Sequence, residues 1–232
     1  MTITSSHNDK LKEIRKLARR RTRDERGRFV AEGEDLVQAA AAAGWTPVHL
    51  LAAAGSGLDG DEVEPSLLER VSGLGSGTRQ LGVYEERWPA PRGPLCVALW
   101  GVGDPGNVGT ILRSARAFGA TSVALGPGCA DAYGPKAVRA SMGAVFELPV
   151  ARVARVDELP GERVALVAHA GEPLVGPAEG EVSLLVGAER TGLAPDVVAA
   201  CDRIAHIPIA GESLNAAMAA TVALYELRMP RP

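Results

Sequence analysis

Between residues 95 and 209 the chain carries six apolar runs of strand length: LCVALW (95–100), SVALG (122–126), VFELPV (145–150), VALVA (164–168), VSLLVG (182–187) and RIAHIPI (203–209). They are close to continuous rather than alternating, and helical or turn segments separate them. A strand that is apolar on both faces has to be covered on both faces, which is the condition of a parallel sheet wrapped by helices. This stretch therefore predicts an α/β fold. Ligands of such open sheets bind at the carboxyl ends of the strands. Two runs end in turns that carry polar groups, LLVGAERTGL (184–193) and HIPIAGESLNAAMAATVALYE (206–226), the second entering an Ala-rich helix. Two such turns in succession predict one site built from neighbouring loops.

The first ninety residues have a different rhythm. Leu11, Ile14 and Leu17 recur every three residues and predict a helix over 9–23. Gly27 breaks it, and FVAEG (29–33) reads as a short strand. EDLVQAAAAAG (34–44) is a helix stopped by Gly44, TPVHLLAA (46–53) a strand, residues 55–61 a loop, and a short helix follows Pro65. A glycine-rich passage then leads to the strand QLGVYEE (80–86). WPAPRGP (88–94), with three prolines in seven residues, reads as a linker. The expected division is a first domain over 1–88, a linker over 89–94 and a second domain over 95–232.

The 232 residues are 46% hydrophobic and 23% charged, the balance of a soluble globular protein. Aromatics are scarce at 4%, so Ala, Val and Leu are expected to fill the core. Cys96, Cys129 and Cys201 are isolated and show no metal-binding or disulfide spacing, so they read as core thiols and no metal is expected. There is no apolar run of membrane-spanning length, and the opening MTITSSHNDK lacks the apolar segment of a signal peptide, so no membrane partner and a cytoplasmic location are expected. The net charge of −3 conceals an asymmetry. Residues 1–30 hold ten basic and four acidic side chains, and the remainder is acidic. Arg19, Arg20 and Arg21 share one turn, with Arg23 and Arg28 close behind. Basic residues concentrated on an otherwise acidic body suit a partner rich in phosphate.

GVGDPG (101–106) matches the glycine pattern of dinucleotide-binding turns. Yet about twenty residues on, where an acid should meet the ribose, stand Thr121 and Ser122. The stretch reads better as a turn followed by a helix capped by Asn107. Ile111, Ala115 and Phe118 then share the apolar face, and Arg113 projects away from it.

NVGTILRSARAFGA (107–120), LLVGAERTGL (184–193) and IPIAGESLNAAMAA (207–220) resemble the three successive motifs of the SpoU (TrmH-like) RNA 2′-O-ribose methyltransferases, of the SPOUT class. AVRASMGAVFELPV (137–150) fits the segment between the first two. RTRDERGRFVAEG (21–33) resembles the opening of the substrate-binding domain that often precedes the catalytic one. The resemblance implies a parallel-sheet SPOUT domain with a C-terminal trefoil knot, preceded by a small α/β (ribosomal-protein-L30e-like) substrate-binding domain. It implies S-adenosylmethionine as cofactor, structured RNA as substrate (ribosomal RNA preferred over tRNA) and a homodimer. A non-catalytic RNA-binding member of the fold is the alternative.

The resemblance also assigns roles. Arg113 becomes the candidate activator of the ribose hydroxyl, with Asn107, Glu189, Ser213 and Asn215 completing a catalytic set. A guanidinium is a poor general base because its pKa exceeds about 12, so a part in positioning ribose or phosphate and stabilising developing charge fits it better. Gly187, Ile207 and Leu214 are expected to hold the methyl donor, with Ala168, His169 and Gly171 forming a third cofactor loop. Arg19, Arg20, Arg21, Arg23, Arg28 and Arg139 are expected to meet RNA. The helix over 214–227, apolar almost all round, is expected in a core or a subunit interface.

Overall fold

The computed structural model describes residues 2–73 and 77–228, so part of the glycine-rich passage lies outside the described residues. Two sheets organise the chain. The first is built from β1 (Arg28–Glu32), β2 (His49–Ala53), β3 (Asp61–Val63) and β4 (Gln80–Glu85) in the order β1-β4-β2-β3. Four helices belong to it: α1 (Asp9–Leu17), α2 (Arg20–Arg26), α3 (Glu34–Ala42) and α4 (Pro65–Val71). Leu11, Ile14 and Leu17 are buried as their spacing requires, against Leu51, Leu68 and Leu81.

The helix expected over 9–23 is broken between Leu17 and Arg20. The cause is tertiary. Arg23 turns inward and its Nη1 donates to the carbonyls of Leu17 (2.8 Å) and Ala18 (3.1 Å), the groups freed at the break. Gly27 then ends α2 in the left-handed conformation at φ 62°, as glycine at that position should.

The second sheet contains β5 (Leu95–Leu99), β6 (Ser122–Leu125), β7 (Val150–Arg152), β8 (Glu162–Val167), β9 (Glu172–Pro173), β10 (Val182–Val186) and β11 (Arg203–His206). Its order is β7-β6-β5-β10-β8-β11-β9, and every pairing is parallel. The helices are α5 (Pro105–Ala117), α6 (Pro135–Ser141), α7 (Ala144–Glu147), α8 (Pro195–Ala199) and α9 (Ala216–Arg228). The chain moves outward from β5 through β6 to β7 on one side, while β10 lies on the other. The loops leaving β5 and β10 therefore sit side by side, the arrangement that creates a binding crevice in a doubly wound sheet. One expected strand is corrected here. VFELPV does not form a single strand: residues 144–147 make a helical turn after Gly143 at φ 90°, and only Val150 onward joins the sheet.

One core cluster spans the two sheets. Phe29, Trp45 and Tyr84 from the first unit pack in a single cluster with Tyr133 and Phe146 from the second, at ring separations of 4.5 to 6.4 Å. The Trp45 indole N–H donates to the Phe146 carbonyl at 2.8 Å. Thus the few aromatics are not diluted through the core but concentrated at this seam. Beside them Arg23 forms a buried two-pronged pair with Asp131, at 2.9 and 2.7 Å, both side chains only 5% exposed.

α9 starts at Ala216 and is not buried all round as expected. Ala216, Ala217, Ala220, Ala223, Leu224 and Leu227 face the core, while Met218 (62% exposed), Val222 and Tyr225 face outward. Its far end lies under the 174–178 segment, where the Ala178 N–H donates to the Leu227 carbonyl at 2.9 Å. Among the described residues, no helix is long and apolar enough to cross a membrane.

Candidate functional site

The site forms where three loops meet at the carboxyl edge of the second sheet. The loop after β5 ends at Asp104, whose Oδ1 accepts the Asn107 backbone N–H at 3.0 Å and so caps α5. Pro105 occupies the first helical position, where its missing N–H costs nothing. Asp104, not Asn107, is therefore the cap, a correction to the sequence reading. The consequence is chemical: the Asn107 side chain is released to reach across the crevice.

It joins the three loops. Asn107 Nδ2 donates to Glu189 Oε1 at 2.8 Å, and Asn215 Nδ2 donates to Asn107 Oδ1 at 3.2 Å. Asn215 Oδ1 in turn accepts the N–H groups of Ala217 (2.9 Å) and Met218 (3.3 Å), capping α9. Glu189 Oε1 also accepts the Asp104 N–H at 3.4 Å. Burial pushes the Glu189 carboxyl up, but the donors outweigh it, Asn107 first and then backbone N–H groups including that of Asp104, and hold it below its ordinary value. Asp104 is held low by the Lys136 ammonium, 2.8 Å away, and by the Asn107 N–H.

Beneath this chain of hydrogen bonds lies a cavity of about 330 Å³, within the size range of small-molecule sites. Gly187, Glu189, Ile207, Ser213, Leu214 and Ala168 all line it, from the ends of β8 and β10 and the loop after β11. Its walls are largely apolar, from Val186, Leu193, Ile209 and Ala216, as a flat aromatic ligand requires. Gly187 has a specific reason to be glycine. A Cβ there would lie 2.3 Å from the Gly192 carbonyl carbon and 2.4 Å from the Leu193 nitrogen. Its bareness lets the loop fold back on itself, closed by reciprocal Ala188–Gly192 backbone bonds of 3.1 and 2.9 Å.

His169, Gly171 and Arg113 belong neither to the cavity wall nor to the hydrogen-bonded line above it. His169 lines an adjoining hollow with His206 and Pro208. Gly171 lies against β11, where a Cβ would meet the Ile204 carbonyl oxygen at 2.1 Å, so its place in the sequence answers to packing. Arg113 is exposed on α5 and pairs with no group among the described residues. Sequence reasoning missed Asp104, although an Asp before Pro at a helix start is a legible signal.

The six arginines expected to meet RNA divide. Arg19, Arg20 and Arg21 are exposed at the elbow between α1 and α2. Arg28 is half-buried on Glu13 at 3.0 Å, and Arg139 lies 3.7 Å from Glu32 at the seam. Arg23 is the clear correction: it is locked into the protein by Asp131 and has no face left for a ligand.

Comparison with known proteins identifies the family. The profile of the SpoU rRNA Methylase family matches residues 94–225, and that of the MRM3-like substrate binding domain matches residues 8–75. The chain is 32% identical over 253 residues to the 23S rRNA (guanosine(2553)-2′-O)-methyltransferase RlmP of Bacillus subtilis, covering 97% of this chain and 98% of that one. It is 43% identical over 141 residues to the 23S rRNA (uridine(2479)-2′-O)-methyltransferase of Streptomyces viridochromogenes, a match covering 53% of this chain and 48% of that protein. Among solved structures, the AdoMet-bound rRNA methyltransferase of Sinorhizobium meliloti superposes with a TM-score of 0.86 at 31% identity, over 98% of this chain and 97% of the other. The AdoMet complex of the Streptomyces SpoU methyltransferase AviRb gives 0.84 at 29% identity, over 95% and 97%. With a family profile matching residues 94–225, more than half its length, and a full-length relative at 32% identity, the chain belongs to the SpoU methyltransferase family.

Proposed function

We propose that this protein transfers a methyl group from S-adenosylmethionine to a ribose 2′-hydroxyl of 23S ribosomal RNA. The observation that carries this reading is the hydrogen-bonded line Glu189–Asn107–Asn215 above an apolar cavity, since it ties all three family motifs into one site. Full-length likeness to a 23S rRNA 2′-O-methyltransferase favours ribosomal RNA over tRNA.

The residues fit the donor. Leu193, Ile207, Ile209 and Leu214 supply an apolar slot for an adenine ring, and the backbone of 187–193 supplies polar groups. S-adenosylmethionine brings a sulfonium-activated methyl group, so the protein's own task is alignment and proton management. Glu189 fixes Asn107, and Asn107 with Asn215 holds the α5 and α9 ends at a set distance around the reacting position. Ser213, on the cavity wall, is placed to meet the ribose. Arg113, without a partner among the described residues, is assigned to the RNA: its guanidinium orients the ribose-phosphate and stabilises charge on the 2′-oxygen as the hydroxyl proton passes to solvent.

The same reading includes a homodimer whose interface is the outward face of α9, where Met218, Val222 and Tyr225 form an apolar strip continued by Phe118, 6.1 Å from the Tyr225 ring. It also includes a trefoil threading of the C-terminal segment, supported by the 174–178 segment crossing the end of α9. The domain division of 1–88, 89–94 and 95–232 and a cytoplasmic location complete it. The test is incubation with labelled S-adenosylmethionine and deproteinised ribosomal RNA, followed by mapping of the modified nucleotide. A single 2′-O-methylated position in 23S RNA is expected. Label on a base, or none on RNA, overturns the proposal.

A further inference from the structure

The seam between the two sheets opens at its solvent end into a second cavity, of about 290 Å³. It is lined by Arg20 of α2, Trp88 of the connector, the loop 126–131 after β6, and Arg152 at the end of β7. None of these except Arg20 belongs to a residue set discussed above as a site. The cavity lies on the same strand-end edge as the donor cavity, one loop away. A Cβ on Gly128 would sit 3.2 Å from the Gly101 Cα, and one on Gly101 would sit 3.4 Å from the Ala188 Cβ, which already lines the donor cavity.

Arg152 is held in an unusual way for a surface arginine. One face of its guanidinium lies on the Trp88 ring, 3.7 Å from the centroid. Its edge is fixed by Asp24 at 3.2 Å and Glu86 at 3.8 Å. Trp88 is itself immobilised, its N–H on Glu86 at 2.8 Å and its ring edge-on to Tyr133 at 4.9 Å. Yet the Arg152 side chain remains 46% exposed. Arg20 stands across the rim, 3.7 Å from the same Asp24 and 59% exposed. The Arg23–Asp131 pair on the floor is neutral as a unit. The rim thus presents two guanidinium groups against the single exposed carboxylate of Asp24, and one of those groups is a flat cation with a covered back and an open front.

Unstacked RNA bases are bound on just such surfaces, by stacking on aromatic rings or arginine planes. We propose that this cavity docks an unstacked base flanking the methylated nucleotide, with the base on the free face of Arg152 and a phosphate against Arg20. The proposal rests on the RNA-methyltransferase reading and adds to it where the neighbouring nucleotide goes.

The experiment compares the wild-type full-length protein with Arg152→Ala and Arg152→Lys. KM for deproteinised 23S RNA, kcat, and calorimetric affinity for S-adenosylmethionine are measured. Loss of one stacked base is expected to raise KM by about tenfold, with kcat and donor affinity unchanged. Arg152→Lys should lose nearly as much, because an ammonium keeps the charge but not the plane. Wild-type KM in either variant overturns the proposal. A readout independent of folding is photocrosslinking of 4-thiouridine-substituted RNA to the wild-type protein. Crosslinks are expected in peptides holding Trp88, residues 126–131 or Arg152, and their absence there overturns it. Wild-type protein that binds S-adenosylmethionine but methylates no RNA would instead defeat the underlying function.

Discussion

Arg23→Ala isolates the joint between the two units. The substitution removes two hydrogen bonds to Asp131 and two to the carbonyls at the α1–α2 break, and leaves a carboxylate buried without its cation. Breaking a buried pair on one side costs about 3–5 kcal/mol. For a chain of this length each kcal/mol moves Tm by about 2–4 °C, so the expected fall is roughly 6–20 °C. Arg23→Met combined with Asp131→Leu should recover most of it, because no charge is then stranded. Circular dichroism melts of wild type and the two variants measure this directly. A single variant melting within about 2 °C of wild type, or a double variant no better than the single, would refute the buried-pair argument.

Other consequences are equally specific. Gly187→Ala forces the 188–192 loop off its own return and should weaken S-adenosylmethionine binding by more than about tenfold in calorimetry, with secondary structure retained; unchanged affinity would place the donor elsewhere. Glu189 has a lowered folded pKa, so its stabilising effect exists above its ordinary value of 4.5 and disappears as pH falls through the folded value. The stability gap between wild type and Glu189→Gln should therefore be constant above about pH 5.5 and close in stronger acid; a gap that widens in acid contradicts the hydrogen-bond account. Arg113→Ala should lose turnover far more than donor affinity, and equal losses would make Arg113 structural. Val222→Asp places a charge in the outward strip of α9 and should convert the proposed dimer to monomers in sedimentation; a variant that stays dimeric, or a wild type that is already monomeric, would refute that interface.

Strands buried on both faces were legible because nothing interrupts their apolar runs, as in LCVAL and VSLLV. VFELPV misled for the same reason: a short helical turn that buries Val145 and Phe146 looks identical at that length, and only Gly143 and Pro149 hint otherwise. The two-residue β9 has too few side chains to show a period. The break after Leu17 left no mark because Ala18, Arg19 and Arg20 are all helix-compatible; a partner more than a hundred residues away sets it. In the site, family motifs marked Asn107, Glu189 and Asn215 but not which atoms meet. Asp104 took the capping role from Asn107 because Pro105 fixes the first helical position three residues earlier than a side-chain count suggests. Charge alone could not separate Arg23 from Arg19–Arg21, since a cation serves a buried carboxylate as readily as a phosphate.

The pooling of Phe29, Trp45, Tyr84, Tyr133 and Phe146 has a practical corollary for anyone dissecting this protein. Scissors at the proline-rich connector would not release two tidy fragments. Each half would bare a greasy aromatic scar, and the methyl-transferring piece expressed by itself should clump unless that scar is first repainted with polar side chains.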